Sequence, residues 1–375
     1  MRMTKYIGVA GFLGAGKTTA LKRLAGYYTG KALTVGIVTN DQAENLVDTA
    51  NLGTGGNPVE EVAGGCFCCE FNSLIDSIRQ LKEGSNVDII LAEPVGSCTD
   101  VVATVIRPLI DLYSNEVTVA PHSVLVDPHR AMKLMHNDDA SFSGNVVYIF
   151  EKQLEEADII LLNKVDLINR EEKEMLIGYL KDKFPGKRII GVSAKTGEGY
   201  DEWIKMIDSD IEVGKNIADV DYDIYANGEA SLGWLNSTIS ISAENPFDGN
   251  SLLMDYLYKL KDTFVQTGSE SAHLKLLLKT NNEIGIANLI SNSIDPILSS
   301  KLSEPVISGQ LVINARVEIA PDILKQNIAD TLEYLDKKNN LDIRIETMES
   351  FSPARPNPVH RYSKSASDSC GCGCC

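Results

Sequence analysis

An octapeptide near the start of the chain constrains the fold more than any other feature. Residues Gly11 to Thr18, GFLGAGKT, fit the pattern G-x-x-x-x-G-K-[ST] and lie between an apolar run at 4–10 and a helical run that starts at Lys17. The pattern requires this strand–loop–helix context, because the glycines let backbone N–H groups at the helix start surround a phosphate group. A chance glycine-rich turn would seldom fall between two such elements. We therefore predict a phosphate-binding loop.

Short apolar runs alternate with helical stretches through the first half of the chain. Continuous apolar runs of this kind indicate strands that are buried on both faces, as in a parallel sheet covered by helices. The pattern predicts an α/β fold, namely a P-loop NTPase with a mostly parallel sheet and helices on both faces. The runs are at 4–10, 33–39, 87–93, 123–127, 158–163 and 188–193.

The pattern changes after a polar, acidic stretch that we interpret as a linker. The order strand–helix–strand–strand–helix–strand follows, with room for an extra strand pair, and it predicts a smaller α+β C-terminal domain. From Ser350 the chain is rich in proline, serine and charge, which is typical of a flexible tail. The expected boundaries are 1–210 for the P-loop domain, 211–230 for the linker, 231–349 for the second domain and 350–375 for the tail.

The phosphate-binding loop predicts how a nucleotide and its Mg²⁺ ion are held. Lys17 is expected to place its charge on the β- and γ-phosphates, and the Thr18 hydroxyl is expected to bind Mg²⁺. Further phosphate contacts are expected from the loop backbone and the first helical turn, at Gly11, Gly14, Ala15, Gly16 and Thr19.

Two later motifs indicate that the base is guanine. The motif NKVD stands at a strand end, and the Asp166 carboxylate there can accept from both the ring N–H and the exocyclic amine of guanine. Adenine would present an acceptor where the ring proton should be and would leave a buried group unpaired. SAKTG follows at the next strand end, in the right order. GTP is therefore favoured over ATP, and the expected base contacts are Asn163, Lys164, Asp166, Ser193, Ala194 and Lys195.

Two strand-end carboxylates are candidates for binding Mg²⁺, directly or through water. Glu93 ends one apolar run and begins EPVG, so that Gly96 could bring its backbone N–H to the γ-phosphate and sense its loss. Asp41 ends the second run. We therefore expect Lys17, Glu93 and Asp41 to be the catalytic residues. Water is the nucleophile in this scheme, and no side chain stands out as a strong base.

Three cysteines, Cys66, Cys68 and Cys69, occur together in GGCFCCE. Thiolates are soft ligands that favour Zn²⁺, Cu⁺ and iron–sulfur chemistry and also accept Co²⁺ or Ni²⁺. Three of them suit one ion with an open fourth position. A redox role is an alternative, although C-x-C-C differs from the usual C-x-x-C. Burial as small apolar residues is another, although glycines and Glu70 flank the group. We expect a transition-metal site, with Zn²⁺ as the first candidate.

Cys98 could add a fourth ligand, although a core or strand-end position is the simpler interpretation. The last six residues contain four further cysteines, which we interpret as a mobile metal-capturing arm. A reactive or lipid-modified end is the alternative, but CGCC fits C-a-a-X poorly. Histidines His129, His136 and His360 are interpreted as surface residues. The tail cysteines are Cys370, Cys372, Cys374 and Cys375.

Charge and hydropathy limit the expected partners. The net charge is −17, so most of the surface should repel nucleic acid and anionic membranes. No apolar stretch reaches the eighteen residues of a transmembrane helix, and no secretory signal is visible at the N-terminus. We expect a cytoplasmic protein that binds neither nucleic acid nor membrane. In a reducing compartment its thiols would serve as ligands or reactive groups.

Five segments in fixed order, GFLGAGKTT, NDQAENLVD, GGCFCCE, EPVG and NKVD, resemble the CobW-like GTPases, relatives of UreG, HypB and MeaB. The resemblance covers residues 4–210. In it, residues 40–48 correspond to a switch segment, Cys66, Cys68 and Cys69 to a metal motif, and Asn163–Asp166 to the guanine motif. In the switch segment Asp41 replaces a glutamate. The resemblance implies GTP hydrolysis with Mg²⁺, transition-metal delivery and a nucleotide-dependent homodimer.

The favoured hypothesis is a GTP-hydrolysing metallochaperone that passes a transition metal from the Cys-x-Cys-Cys site to a client protein or cofactor pathway. A second hypothesis is a GTPase chaperone or reactivator of a cobalamin-dependent enzyme, in which the thiols are regulatory. A third is a metal-storage or sensing protein whose nucleotide site gates binding. The expected partner is a client metalloprotein or a cobalamin-related enzyme.

Overall fold

The computed structural model describes residues 3–40, 56–136 and 142–364. In these ranges the first domain is built on a parallel eight-stranded sheet. Its strands are β1 (Thr4–Gly11), β2 (Val35–Asn40), β3 (Val59–Val62), β4 (Ile89–Glu93), β5 (Val117–Val119), β6 (Ser123–Val126), β7 (Ile159–Leu162) and β8 (Arg188–Gly191). They follow the order β3-β2-β4-β1-β6-β7-β8, and β5 also pairs with β1.

Helices cover both faces of this sheet. They are α1 (Lys17–Gly30), α2 (Phe71–Ser85), α3 (Arg107–Leu112, preceded by a π-helical turn at Val102–Ile106), α4 (Pro128–Met135), α5 (Gly144–Glu156), α6 (Arg170–Lys183) and α7 (Tyr200–Ile207). None of the helices in the described ranges combines the length and apolar character that a membrane crossing requires.

Strand β1 illustrates why the sequence runs were continuously apolar. Ile7 and Val9 pack with residues of α1 and α7 in one apolar cluster. Tyr6 and Ala10 point to the other face and join the cluster that contains residues of α2 and α5. Successive side chains alternate between the faces of a strand, so a sheet covered on both faces needs apolar residues at every position. The predicted α/β fold class is confirmed.

The second domain contains an antiparallel sheet of six strands in the described residues, in the order β12-β11-β10-β13-β9-β14. Two helices pack on one face of the sheet, where Leu274, Leu276 and Leu278 of β10 join them in the core. The predicted α+β order, with its extra strand pair, is confirmed. The elements are β9 (Leu232–Phe247), α9 (Gly249–Thr267), β10 (Glu270–Lys279), β11 (Ile284–Leu289), β12 (Ile297–Ser300), β13 (Val306–Glu318), α10 (Pro321–Asn339) and β14 (Asp342–Phe351).

The second sheet meets the first domain beside the phosphate-binding loop. The Arg130 guanidinium of α4, buried between the domains, donates to the carbonyl oxygens of Ala272 at 2.9 Å and Ile290 at 2.8 Å. Lys133, one turn further along α4, lies 3.5 Å from the Glu270 carboxylate. A charge-assisted bond to a carbonyl is costly to lose when the charge is buried, so these contacts stabilise the arrangement of the domains.

Two structural features bear on the predicted segmentation. The predicted linker, residues 211–230, contains most of a helix, α8 (Tyr222–Ser231). This helix packs against α5. Strand β14 continues to Phe351, and residues 352–364, here called the C-terminal strap, lie against the first domain. The described part of the predicted flexible tail is therefore held in place. Composition indicated a tail because the strap has few apolar residues, but backbone hydrogen bonds and Arg361 fix it.

Candidate functional site

The phosphate-binding loop has the backbone that its glycines predict. Gly14 and Gly16 have φ values of 77° and 95°, which favour glycine, and Gly16 immediately precedes α1. Gly11 also has a positive φ, and a Cβ there would meet the Leu125 carbonyl oxygen at 2.4 Å. The loop therefore has the backbone conformation of a phosphate-binding loop at a helix N-terminus, the geometry that favours an anion.

The base motif is bonded directly to this loop. The Asn163 amide donates to the Ala15 carbonyl oxygen at 2.8 Å, and the Lys164 ammonium donates to the Gly14 carbonyl oxygen at 2.7 Å. A Cβ at Gly16 would lie 2.5 Å from the Asn163 amide nitrogen. The two sequence motifs, although far apart in the chain, thus form one site.

The residues predicted to contact the base lie close together at one edge of the nucleotide cavity. The Ser193 hydroxyl donates to the Asp166 carboxylate at 2.6 Å. The Ala194 N–H donates to the Asn163 side-chain oxygen at 3.0 Å. Lys195 is bonded through its carbonyl oxygen to the Arg23 guanidinium at 2.7 Å. These contacts orient the Asp166 carboxylate at the end of the parallel sheet, where a base can approach it.

No motif in the sequence pointed to Asp127, whose carboxylate anchors the base motif through Lys164. Its carboxylate lies 2.8 Å from the Lys164 ammonium and also accepts from the His129 N–H at 2.9 Å, capping α4. Burial raises the pKa of this carboxyl, but the charge and hydrogen bond of Lys164 outweigh burial and hold the pKa below its usual range. Asp127 is therefore an ionised anchor for Lys164.

Glu93 lies beside the first turn of α1. The Thr18 hydroxyl donates to its carboxylate at 3.1 Å, and the Lys17 ammonium is 4.0 Å from the same oxygen. Gly96 touches the phosphate-binding loop, since a Cβ there would meet the Leu13 backbone nitrogen at 3.1 Å. Asp41, the other predicted carboxylate, lies outside the described residues.

A cavity of about 860 Å³ joins these groups and is closed on one side by the second domain. Three predicted site residues do not line the cavity, namely Gly11, Ala15 and Ser193. Trp234, Lys275 and other residues of the second sheet form the opposite wall. The predicted residues that line it are Gly14, Gly16, Lys17, Thr18, Thr19, Glu93, Gly96, Asn163, Lys164, Asp166, Ala194 and Lys195.

The three clustered cysteines lie together. The Sγ atoms of Cys66 and Cys69 are 3.4 Å apart, those of Cys68 and Cys69 are 3.8 Å apart, and all three lie within 4.8 Å of one another. Ligands at the usual Zn–S distance of a tetrahedral site are about 3.8 Å apart. The donor set and spacing therefore fit one thiophilic ion.

Proton sharing within the cluster prepares it for a cation. Hydrogen-bonding contacts with the thiols of Cys68 and Cys69 hold the pKa of Cys66 well below its usual value. The same contacts raise the pKa of Cys69 to about 11 and also raise that of Cys68. A lowered pKa favours the thiolate form of Cys66, which is the form that binds a metal ion.

Asn40 connects the cysteine segment to the nucleotide cavity, although the sequence did not single out its side chain. Asn40 ends β2 and lines the cavity. Its amide donates to the carbonyl oxygens of Val62 at 2.9 Å and Gly65 at 2.6 Å, and its side-chain oxygen accepts from the Phe67 N–H at 2.8 Å. One side chain therefore fixes the backbone on either side of Cys66.

We expect Asn40→Ala to loosen the cysteine segment. The substitution leaves buried backbone groups unpaired, which should cost about 1–3 kcal/mol of unfolding free energy, and Zn²⁺ affinity should fall by about 10–100-fold, as for other outer-shell contacts. Denaturant unfolding of the metal-free protein and competition with a chromophoric chelator measure the two effects. Asn57→Ala removes a surface contact with Thr29 and is the matched control. Unchanged Zn²⁺ affinity in Asn40→Ala would refute this role.

The C-terminal strap covers the other side of the cluster. The Asn357 N–H donates to the Cys69 Sγ at 3.2 Å, and the Val359 N–H donates to the Cys68 carbonyl oxygen at 2.9 Å. Arg361 forms a 2.8 Å ion pair with Asp100, whose side chain is buried. These contacts place the strap directly against the cysteines. The tail cysteines beyond it lie outside the described residues.

The three noted histidines do not form a second metal site within the described residues. His129 is bonded to the Ser293 hydroxyl at 2.7 Å, and His360, in the strap, stands edge-on to the Phe71 ring. His136 caps the end of α4. Their positions are explained by local contacts.

A parallel sheet, a phosphate-binding loop and a base motif bonded to that loop define a P-loop nucleotide-binding domain. Residues 5–190 match the family model "CobW/HypB/UreG, nucleotide-binding domain". Through this domain the chain belongs to the CobW/HypB/UreG family of GTPases, which confirms the resemblance seen in the sequence.

Curated relatives agree with this assignment. The zinc chaperone CobW of Sinorhizobium is 28% identical over 51% of this chain and 58% of its own length. The zinc chaperone YeiR of Escherichia coli is 30% identical over 46% of this chain and 50% of its own length. The urease accessory protein UreG of Metallosphaera sedula is 26% identical over 55% of this chain and 93% of its own length. The chain thus spans little more than half the length of the two zinc chaperones.

Proposed function

We propose that this chain is a GTP-hydrolysing metallochaperone that delivers a transition metal from the Cys66/Cys68/Cys69 cluster to a client protein. The observation that carries the proposal is the position of Asn40, which lines the nucleotide cavity and also bonds to the cysteine segment. Binding of the metal and binding of the nucleotide would therefore influence each other through Asn40. Two relatives that carry the name zinc chaperone support this interpretation.

The nucleotide half of the proposal assigns each polar group a role. Lys17 and the loop N–H groups hold the phosphates, and Asp166 accepts from the guanine edge. Thr18, Glu93 and Asp41 would hold Mg²⁺, which offsets the charge that develops on the phosphates. Water attacks the γ-phosphorus, and the bond to the β–γ bridging oxygen breaks, so that GDP leaves with the electron pair and inorganic phosphate is released.

The metal half of the proposal treats the ion as cargo. Sulfur ligands suit Zn²⁺ first and also Co²⁺ or Ni²⁺. An ion that must leave needs a site whose affinity changes during the cycle, and loss of the γ-phosphate near Gly96 and Asn40 would provide that change. Hydrolysis gives the cycle a direction, because binding equilibria alone are reversible. We further propose a cytoplasmic location and a nucleotide-dependent homodimer.

The coupling between the two halves is the test of this function. We expect the Zn²⁺ affinity of the GDP complex to differ from that of a complex with a non-hydrolysable GTP analogue by about 5–150-fold, the usual range of coupling between two sites. Chelator competition in the presence of Mg²⁺ measures both affinities. Lys17→Ala, which weakens nucleotide binding, should abolish the difference. Equal affinities in the two parent complexes would reject the proposal.

A further inference from the structure

The second sheet turns a basic face toward the nucleotide cavity. Core leucines of β10, Leu274 and Leu276 among them, pack beneath the two helices at alternate positions. Because successive side chains of a strand point to opposite faces, His273 and Lys275 lie on the other face, and both line the cavity. Arg316 of β13 pairs in register with His273 and also lines the cavity. Basic side chains thus gather at this wall, although the chain as a whole is acidic, with a net charge of −17.

One end of this basic face rests on the phosphate-binding loop. A Cβ at Gly14 would lie 3.0 Å from the Ile290 side chain and 3.5 Å from the Ala272 carbonyl oxygen. The Arg130 guanidinium donates to the carbonyl oxygens of these same two residues and so holds them against the first domain. His273 is the next residue on β10, so it and its cross-strand partner on β13 lie near the loop. A phosphate group bound at the loop therefore faces this part of the second sheet.

The Arg316 guanidinium is held in a fixed position at the cavity wall. It lies 3.9 Å from the centroid of the Trp234 ring. Its Nη1 donates to the Leu235 carbonyl oxygen at 3.1 Å and to the Asn236 side-chain oxygen at 3.0 Å. Arg316 is only 4% exposed and Lys275 only 7%. Water screens buried charges weakly, so an anion that enters the cavity interacts strongly with both cations.

We propose that Arg316 and Lys275 contact the γ-phosphate of bound GTP, so that the second domain senses which nucleotide is present. In a phosphate-binding loop the backbone N–H groups surround the α- and β-phosphates, and the γ-phosphate extends beyond them toward the facing wall. Lys275 lies about 7 Å further along β10 than His273, so the two cations approach that phosphate from the side opposite Lys17. Hydrolysis then removes the group that they share. The inference goes beyond the proposed function, because it concerns the nucleotide site whatever the metal cargo.

Lys275→Met and Arg316→Met, each made in the full chain, test the proposal. Methionine keeps a long, adaptable side chain and removes the charge. We expect each substitution to lower the affinity for a non-hydrolysable GTP analogue by about 10–100-fold, the value of a hydrogen bond to a charged group. The affinity for GDP should stay close to that of the parent. Titration calorimetry with Mg²⁺ present measures both affinities. Lys279→Met is the matched control, because Lys279 is on the same face of β10 but is exposed and does not line the cavity.

Equal losses of affinity for the GTP analogue and for GDP would overturn the proposal, because they would assign the two cations to the domain contact alone. Unchanged affinity for the analogue would also overturn it, as would an equal loss in Lys279→Met. Hydrogen exchange of the parent protein gives a readout that needs no substitution. We expect the backbone at 273–275 and 314–316 to exchange more slowly in the analogue complex than in the GDP complex, since a bound phosphate opposes local opening. Equal exchange in the two complexes would contradict the assignment.

Discussion

Replacement of Cys66, Cys68 and Cys69 by serine together is expected to abolish stoichiometric, tight Zn²⁺ binding. The three sulfurs lie within 4.8 Å of one another, so they act on one ion. Serine hydroxyls remain protonated near neutral pH and are hard donors, so they cannot replace soft thiolates. We expect affinity to fall by about 100-fold or more, beyond what outer-shell changes produce. Native mass spectrometry and chelator competition measure the loss.

The matched control replaces Cys370, Cys372, Cys374 and Cys375 by serine and leaves the cluster unchanged. If the tail only captures metal, the control should keep the tightly held ion. GTP binding should persist in the cluster variant, because the nucleotide cavity is lined by other residues among those described. A cluster variant that binds Zn²⁺ and hydrolyses GTP like the parent would contradict the metallochaperone proposal.

Asp166→Asn is expected to change the base preference from guanine to xanthine. The Asp166 carboxylate can accept from two guanine N–H donors, whereas the asparagine amide presents a donor to one of them. Leaving such groups unmatched in a binding site should lower GTP affinity by about 100–10,000-fold. Xanthine has a carbonyl oxygen in place of the amine, so it can accept from the new amide. Titration calorimetry with GDP and XDP measures the preference.

The interpretation of Asp166→Asn depends on its contact with Ser193. The Ser193 hydroxyl donates to the Asp166 carboxylate at 2.6 Å and is expected to orient it. Ser193→Ala should therefore weaken GDP binding by about 10-fold, the value of one lost hydrogen bond, without favouring XDP. An Asp166→Asn protein that still selects GDP over XDP would show that this carboxylate does not read the base.

The accuracy of the sequence predictions depended on how local each signal is. The phosphate-binding loop and the apolar strands were predicted correctly, because their patterns span a few consecutive residues and follow from backbone geometry. The strap was predicted to be free, since composition reports local apolar content only. Its actual position depends on Arg361 and the buried Asp100, which lie far apart in the chain.

Two site residues have roles that local sequence did not reveal. Asn40 ends β2 and Asp127 directly follows β6, so in sequence both look like ordinary strand-end polar residues. Only the packing shows that one fixes the cysteine segment and the other anchors Lys164. Strand-end polar residues are common, so their type and position alone could not distinguish these roles.

By itself the sequence determined the class of protein, the nucleotide motif and the three adjacent thiols, because each depends on residues that are neighbours in the chain. The tertiary structure decided how these parts are connected. It placed Asn40 between the cysteine segment and the nucleotide cavity and set the second sheet over that cavity. Contacts of this kind arise from the packing of separate segments, which no local periodicity or spacing records.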